Sequence, residues 1–154
     1  MKRAMNTKQL LLLFYFVLSN SCNENQSTNS QVSPFDEKTV IAKVIEVYDG
    51  DTFLASYKSA KEKIRVLNID CYETSYGTRL EEQAKKNGIS VDSAYQLGIQ
   101  AKRLADSLLK GFYVSLIRDY NLPNRDVYNR LLRLVLIQGM KYDSIIISKN
   151  LNAN

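Results

Sequence analysis

Histidine and tryptophan are absent from the 154 residues, and cysteine and proline occur only twice each. Without histidine, the chain has no His-ligated zinc site and no Ser-His or Cys-His nucleophile pair. Two cysteines are too few for a disulfide scaffold. The longest apolar run, Leu10 to Leu18, has nine residues, well short of the ~20 that span a bilayer. Any catalysis must therefore use carboxylates, Arg, Lys, Tyr or a metal held by oxygen.

The N-terminus has the pattern of an export signal. A positive start with Lys2, Arg3 and Lys8 precedes the apolar run, and Ser19-Asn20-Ser21 leads to Cys22. This predicts a lipoprotein-type signal peptide over residues 1–21. Cys22 would then carry a lipid that anchors the protein to the membrane of a bacterial envelope. An ordinary signal peptide cut nearby is the alternative, and it would give a secreted protein with a free Cys22.

Residues 22–35 are rich in Asn, Ser, Gln and Thr, a composition that cannot bury enough apolar surface to fold. We interpret them as a disordered tether, followed by one folded domain over residues 36–154. Removal of the signal peptide lowers the net charge from +5 to about +2, because three basic residues leave with it. Such a mild excess is compatible with a nucleic-acid substrate but does not argue for one.

Hydrophobic patterning predicts five strands, at Val40–Val47, Thr52–Tyr57, Lys63–Ile69, Phe112–Arg118 and Leu131–Ile137. A polar turn, Lys58 to Glu62, separates the second strand from the third.

A short helix is expected around Arg79–Lys86. A longer one begins at Ser90 or Asp92, with Leu97, Ala101, Leu104 and Leu108 on one face, and ends at Gly111. Residues 140–154 are ambiguous, because Ile145, Ile146 and Ile147 prefer a strand. We favour a short helix, which Asp143 could cap. Five strands with a helix between the third and fourth is the element order of an OB-fold barrel.

Three motifs combine carboxylates with arginines. Asp49-Gly50-Asp51-Thr52 puts two carboxylates at a tight turn. A second motif, R-x-x-x-x-D-x-x-E, runs from Arg65 through Asp70 to Glu73, and a third, D-x-Y-x-R, runs from Asp126 to Arg130. Together, over about Val40 to Asn150, they resemble the staphylococcal nuclease (thermonuclease) family. The resemblance implies an α+β fold, a five-stranded OB-fold barrel of the staphylococcal nuclease type that here lacks the last helix.

The same resemblance implies a calcium-dependent nuclease acting on single-stranded DNA or RNA, and it does not imply a protein partner. Asp51, Asp70 and the backbone carbonyl of Cys71 correspond to the calcium ligands, and Asp49 to an acid that reaches the metal through water. The implied catalytic residues are Glu73, which orients or deprotonates the attacking water, and the phosphate-binding Arg65 and Arg130. Tyr128 corresponds to a tyrosine that contacts the substrate. Val127 stands where a Lys often helps to bind phosphate, and Arg125 is the candidate substitute.

The chemistry agrees with this assignment. Phosphodiester hydrolysis adds negative charge to the phosphoryl oxygens, and guanidinium groups match those oxygens with paired donors. Hard oxygen ligands suit calcium. In a regular strand, however, Arg65 and Asp70 would face opposite sides. We therefore expect the third strand to end or bulge before Asp70.

Two other functions stay open. The barrel could be a non-catalytic module that binds nucleic acid or a protein partner, with some of its ten Tyr and five Phe residues as stacking platforms. It could also be a structural lipoprotein without nucleic-acid binding.

Overall fold

A computed structural model of the protein describes residues 39–153. The predicted signal peptide at 1–21, the tether at 22–35 and the lipid-accepting Cys22 lie outside the described residues.

The described residues form a closed, mixed β-barrel of five strands. These are β1 (Thr39–Val47), β2 (Thr52–Tyr57), β3 (Ala60–Val66), β4 (Tyr113–Ile117) and β5 (Leu131–Ile137). Neighbours in the order β3-β2-β1-β4-β5 are antiparallel, and a parallel pairing of β3 with β5 closes the barrel. A two-residue strand, β6 (Met140–Lys141), extends the sheet beside β5. The predicted barrel of five strands with helices is therefore confirmed.

The described part of the chain contains three helices, α1 (Thr78–Asn87), α2 (Val91–Leu109) and α3 (Tyr142–Ser148). Ser90 caps α2 by accepting a hydrogen bond from the Ser93 backbone N–H, and Gly111, with φ 84°, follows its C-cap. None of the described helices has the length and apolar content needed to cross a bilayer.

Helix α2 covers the barrel with small side chains at its centre. Ala101, Ala105 and Leu109 are buried in the same core as the inward-facing residues of β1 to β5, and Leu97, Leu104 and Leu108 pack at the edge of that core. Alanine and glycine on the buried face let the helix backbone approach the strands closely.

The predicted bounds of the third strand were wrong. Lys58 and Ser59 have positive φ angles of 46° and 67°, so they form a tight two-residue turn and β3 begins at Ala60. The strand ends at Val66, and Asn68 has a φ of 70°. The chain therefore leaves the sheet before Asp70, as the parity argument required, and Asp70 can face the same side as Arg65.

Asp143 does not cap the last helix, contrary to the prediction. The N-cap position of α3 is Lys141, because β6 runs directly into the helix. Asp143 is buried in the first turn, where its carboxylate accepts hydrogen bonds from the Asn68 side-chain amide at 2.9 Å and from the Ser144 N–H at 2.8 Å. It therefore joins α3 to the turn that ends β3.

Gly98 allows α2 to lie directly against the chain at Tyr72 and Glu73. A Cβ atom at this position would lie 2.4 Å from the Glu73 carbonyl oxygen and 2.7 Å from that of Tyr72. Backbone atoms cannot yield as a flexible side chain can. The packing of α2 thus sets the position of the Glu73 backbone.

We predict that Gly98→Ala destabilises the protein by about 1–3 kcal/mol, the usual cost of overpacking a filled site. Urea unfolding followed by circular dichroism measures this. Gly77→Ala, at the N-cap of α1, is the control for a Cβ that meets no atom within 4 Å. Equal stability of the two variants would contradict the assigned packing.

Candidate active site

The three motifs of the sequence meet in one open pocket of about 300 Å³. Its walls come from the β1–β2 turn, the end of β3, the segment after β3, the start of α1 and the loop before β5. Four carboxylates and three guanidinium groups face it, and the lining residues are Asp49, Asp51, Arg65, Asp70, Cys71, Glu73, Arg79, Tyr128 and Arg130. Every residue predicted to form the site lines this pocket.

Arg65 lies between two carboxylates at the base of the pocket. Its Nη1 pairs with Asp51 Oδ1, and its Nη2 donates to Asp70 Oδ1 at 2.7 Å. Asp51 is only 5% exposed and also accepts a hydrogen bond from the Thr52 hydroxyl at 3.0 Å. Burial lowers the pKa of Arg65, while the charges of Asp70 and Asp49 oppose that shift. The guanidinium group joins the β1–β2 turn, β3 and the segment after β3.

Glu73 is paired with an arginine that the motifs did not indicate. Arg79, in the first turn of α1, donates from Nε to Glu73 Oε1 at 2.7 Å and from Nη2 to Asp70 Oδ1 at 2.8 Å. Gln83, one turn further along α1, donates to the Cys71 carbonyl oxygen at 2.9 Å and accepts from the Glu73 N–H at 3.0 Å. Helix α1 thus holds both the backbone and the side chain of Glu73.

Arg130 is aimed into the pocket by Asp126. Its Nε donates to Asp126 Oδ2 at 2.7 Å, and its Nη1 donates to the Thr52 hydroxyl at 3.0 Å. The Tyr128 ring lies beside this guanidinium group, 5.4 Å from ring centroid to Cζ, and is 76% exposed. An exposed ring next to a cation offers a flat surface on which a base can stack.

Asp49 closes the β1–β2 turn by accepting a hydrogen bond from the Asp51 N–H at 2.9 Å. Burial raises the pKa of Asp49, and hydrogen bonding to Thr52 with the charges of Arg65 and Arg130 offsets part of that rise. The D-G-D-T motif therefore has two roles, because it forms the turn and supplies two carboxylates to the pocket.

Cys71 contributes its backbone to the site, not its thiol. Its N–H donates to Asp51 Oδ2 at 2.6 Å. Burial raises the pKa of the Cys71 thiol to about 12. A thiol that stays protonated at neutral pH is a poor nucleophile.

The last described residues hold the backbone of the segment that follows β3. The Asp70 N–H donates to Asn152 Oδ1 at 2.7 Å, and the Ala153 N–H donates to the Asp70 carbonyl oxygen, also at 2.7 Å. The backbone of Asp70 is thus held on both sides, although it belongs to no strand or helix.

The donor types in this pocket fit a hard cation such as calcium. Within residues 39–153, however, no three Asp, Glu or Cys side chains are grouped as ligands of one metal ion. Asp51 and Asp70 converge on the Arg65 guanidinium, and the Cys71 carbonyl faces Gln83. Calcium bound to both carboxylates would therefore have to displace Arg65 from at least one of them.

Two residues weighed from the sequence do not contribute to this pocket. Val127 is 93% exposed. Arg125 makes a two-pronged ion pair with Glu62, with distances of 2.9 and 2.8 Å, and does not line the pocket. The additional basic residue in the site is Arg79. Its position at the start of the predicted helix, six residues after Glu73, is the sequence feature that could have indicated it.

Comparison with known proteins does not assign a function. No family model matches the chain. An uncharacterized protein of Methanocaldococcus jannaschii, MJ1439, is 33% identical over 100 residues, which make up 63% of this chain. The matched region is 48% of that protein, so the chain spans about half of its relative's length.

Replacement of Asp51 removes one of the two carboxylates that hold the half-buried Arg65. We predict that Asp51→Asn lowers the free energy of unfolding by about 3 kcal/mol, because it leaves a guanidinium group that is only 15% exposed short of one counter-charge. Asp106→Asn is the control, since its 3.9 Å pair with Lys102 is partly exposed and is worth less than about 1 kcal/mol. Urea unfolding at neutral pH compares them, and equal losses would refute the claim that Asp51 anchors Arg65.

Proposed function

We propose that the protein is a nuclease that hydrolyses phosphodiester bonds in single-stranded DNA or RNA. The observation that carries this proposal is the meeting of Arg65, Arg130 and Glu73 with three aspartates in one open pocket. These residues come from three separate motifs, and together they can bind a phosphate and activate a water without histidine.

Arg65 and Arg130 bind the phosphoryl oxygens in this proposal. Both guanidinium groups are held by carboxylates, Arg65 by Asp51 and Asp70 and Arg130 by Asp126. Arg130 is already oriented and needs little reorganisation when negative charge develops on the phosphate, whereas Arg65 must first leave at least one of its two carboxylates. Each such group is commonly worth about 2.7–4 kcal/mol to the transition state. The exposed Tyr128 ring stacks on the neighbouring base.

Glu73 accepts a proton from the attacking water. The water oxygen forms a bond to phosphorus, the bond from phosphorus to the 5′ oxygen breaks, and the departing oxygen takes a proton from solvent. The products carry a 3′-phosphate and a 5′-hydroxyl. In the described structure Glu73 is paired with the exposed Arg79. This ion pair must open when substrate enters, so that the Glu73 carboxylate can accept the proton.

Calcium is the proposed cofactor, with Asp51, Asp70 and the Cys71 carbonyl as its ligands and Asp49 as a water-mediated contact. When bound, it would supply charge neutralisation at the phosphate and a lowered pKa for a coordinated water. The release of Arg65 that this binding requires would also leave a guanidinium group available to the phosphate.

The barrel and its site residues support the staphylococcal nuclease type of OB-fold as the finer description of the fold. Export, and attachment to the membrane through Cys22, stay predictions from the N-terminal sequence.

A second candidate is a non-catalytic module that binds nucleic acid. The Arg79 contacts favour it, since this guanidinium group satisfies both Glu73 and Asp70 within the protein. A binder needs the arginines and Tyr128 but has no use for the Glu73 carboxylate. The two candidates therefore differ in what a change at Glu73 does.

We predict that Glu73→Gln lowers the rate of single-stranded DNA digestion at least a hundredfold, since a general base contributes about 10²–10⁴-fold. It should change DNA affinity far less. Gel assays of digestion in calcium and binding assays in chelator measure the two effects. Glu82→Gln, on the exposed side of α1, is the matched control and should digest normally. An undiminished rate for Glu73→Gln would refute the assigned role, and binding without digestion by the unaltered protein would favour the module.

A further inference from the structure

A second pocket, of about 260 Å³, lies at the opposite end of β2 from the candidate active site. We call it the distal pocket, and it is lined chiefly by four basic and two aromatic residues: Arg118, Arg125, Arg133, Lys58, Tyr57 and Tyr120. None of the residues that line it is acidic, and the neighbouring Glu62 pairs with Arg125. The distal pocket therefore carries an excess of positive charge.

Arg133 is the least expected residue in the distal pocket. It lies on β5, where the alternate residues Leu131, Val135 and Ile137 are buried in the core, and it is itself only 2% exposed. Its guanidinium group donates to neutral acceptors, including Asn124 Oδ1 at 2.9 Å and the Leu132 carbonyl at 2.7 Å. No carboxylate of residues 39–153 forms an ion pair with it. Glu62 acts on Arg133 only electrostatically, without a direct ion pair, and a bound anion would give this buried cation a direct partner.

Arg118 has an unused donor at the same place. Its Nε is buried and has no hydrogen-bond partner among the described residues. Its guanidinium group lies over the Tyr120 ring, 4.6 Å from the centroid, and Arg133 lies 5.4 Å from the centroid of Tyr57. Tyr120 is 55% exposed. The distal pocket thus combines phosphate-binding cations with an accessible aromatic face, which together suit a nucleotide unit.

The two pockets are joined by shared elements. Strand β2 runs from Thr52, which contacts Arg130, to Tyr57 in the distal pocket, a distance of about 17 Å at the rise of a β-strand. The loop before β5 also contributes to both pockets, with Tyr120 at one and Tyr128 at the other. One nucleic-acid strand of several nucleotides could therefore occupy both pockets at once.

We propose that the distal pocket binds a phosphate and a base of a single-stranded nucleic acid whose more distant part occupies the candidate active site. The identification of single-stranded nucleic acid as the ligand of the distal pocket rests on the proposed function. Binding in this pocket does not depend on cleavage. The chemistry of the distal pocket alone would also accept a polyanion without bases, so the test must separate phosphate binding from base stacking.

The test measures the affinity of the full chain, in chelator, for an oligodeoxythymidylate of about 12 nucleotides, within the usual site size of an OB-fold. Inorganic polyphosphate of similar charge is the probe without bases. We expect Arg118→Gln to weaken both ligands about tenfold and to reduce the salt slope for DNA by about 0.7, the value for one phosphate contact on a single strand. Tyr120→Leu should weaken the oligonucleotide about tenfold and leave polyphosphate unchanged. Arg103→Gln, a charge-matched change on the exposed side of α2, should alter neither affinity.

Equal losses for Arg103→Gln and Arg118→Gln would overturn the proposal, because general electrostatic attraction would then explain the binding. A Tyr120→Leu variant that keeps its DNA affinity, or loses polyphosphate equally, would overturn the base-binding part. Thermal unfolding of each variant checks that the barrel is intact, and Tyr120 is exposed enough for its replacement to be tolerated. If the unaltered protein never cuts DNA, the nuclease proposal fails. The affinities still test whether the distal pocket binds nucleic acid.

Discussion

The position of one guanidinium group, that of Arg65, governs how the site is built. Arg65 ends up between Asp51 and Asp70, at a depth where an unpaired charge would cost several kcal/mol. Asp51 can reach it only from the start of β2, and Asp70 only if β3 stops at Val66. The short third strand, the left-handed Asn68 and the segment held by Asn152 all serve that pairing.

The same pairing decides how the pocket could work. Carboxylates that already hold Arg65 and Arg79 form a closed charge network, and a substrate phosphate or a calcium ion must compete with it. Such competition is easier for a cation and a phosphate together than for either alone. The cation pairs with the aspartates, and the phosphate pairs with the arginines that the aspartates release. Metal and substrate should therefore bind more strongly together than either binds alone.

Local pattern was enough to predict the barrel strands and the long helix, since alternation, turn residues and helical spacing are written in neighbouring residues. The motif spacings also brought the acids and arginines to one site. Pattern failed where long-range contacts decide the outcome. The bounds of β3 depend on the turn at Ser59, Asp143 is drawn inward by Asn68, and Arg79 and Arg133 acquire their roles only when distant segments meet.

The central claim is that this pocket cleaves phosphodiester bonds with the help of calcium. It is tested most directly by incubating the folded protein with 5′-labelled single-stranded DNA, in calcium or in chelator, and identifying the new ends. The account predicts products with 3′-phosphate ends that form in calcium and not in chelator. Intact DNA after incubation with a demonstrably folded protein in calcium, or digestion that persists in chelator, would contradict it.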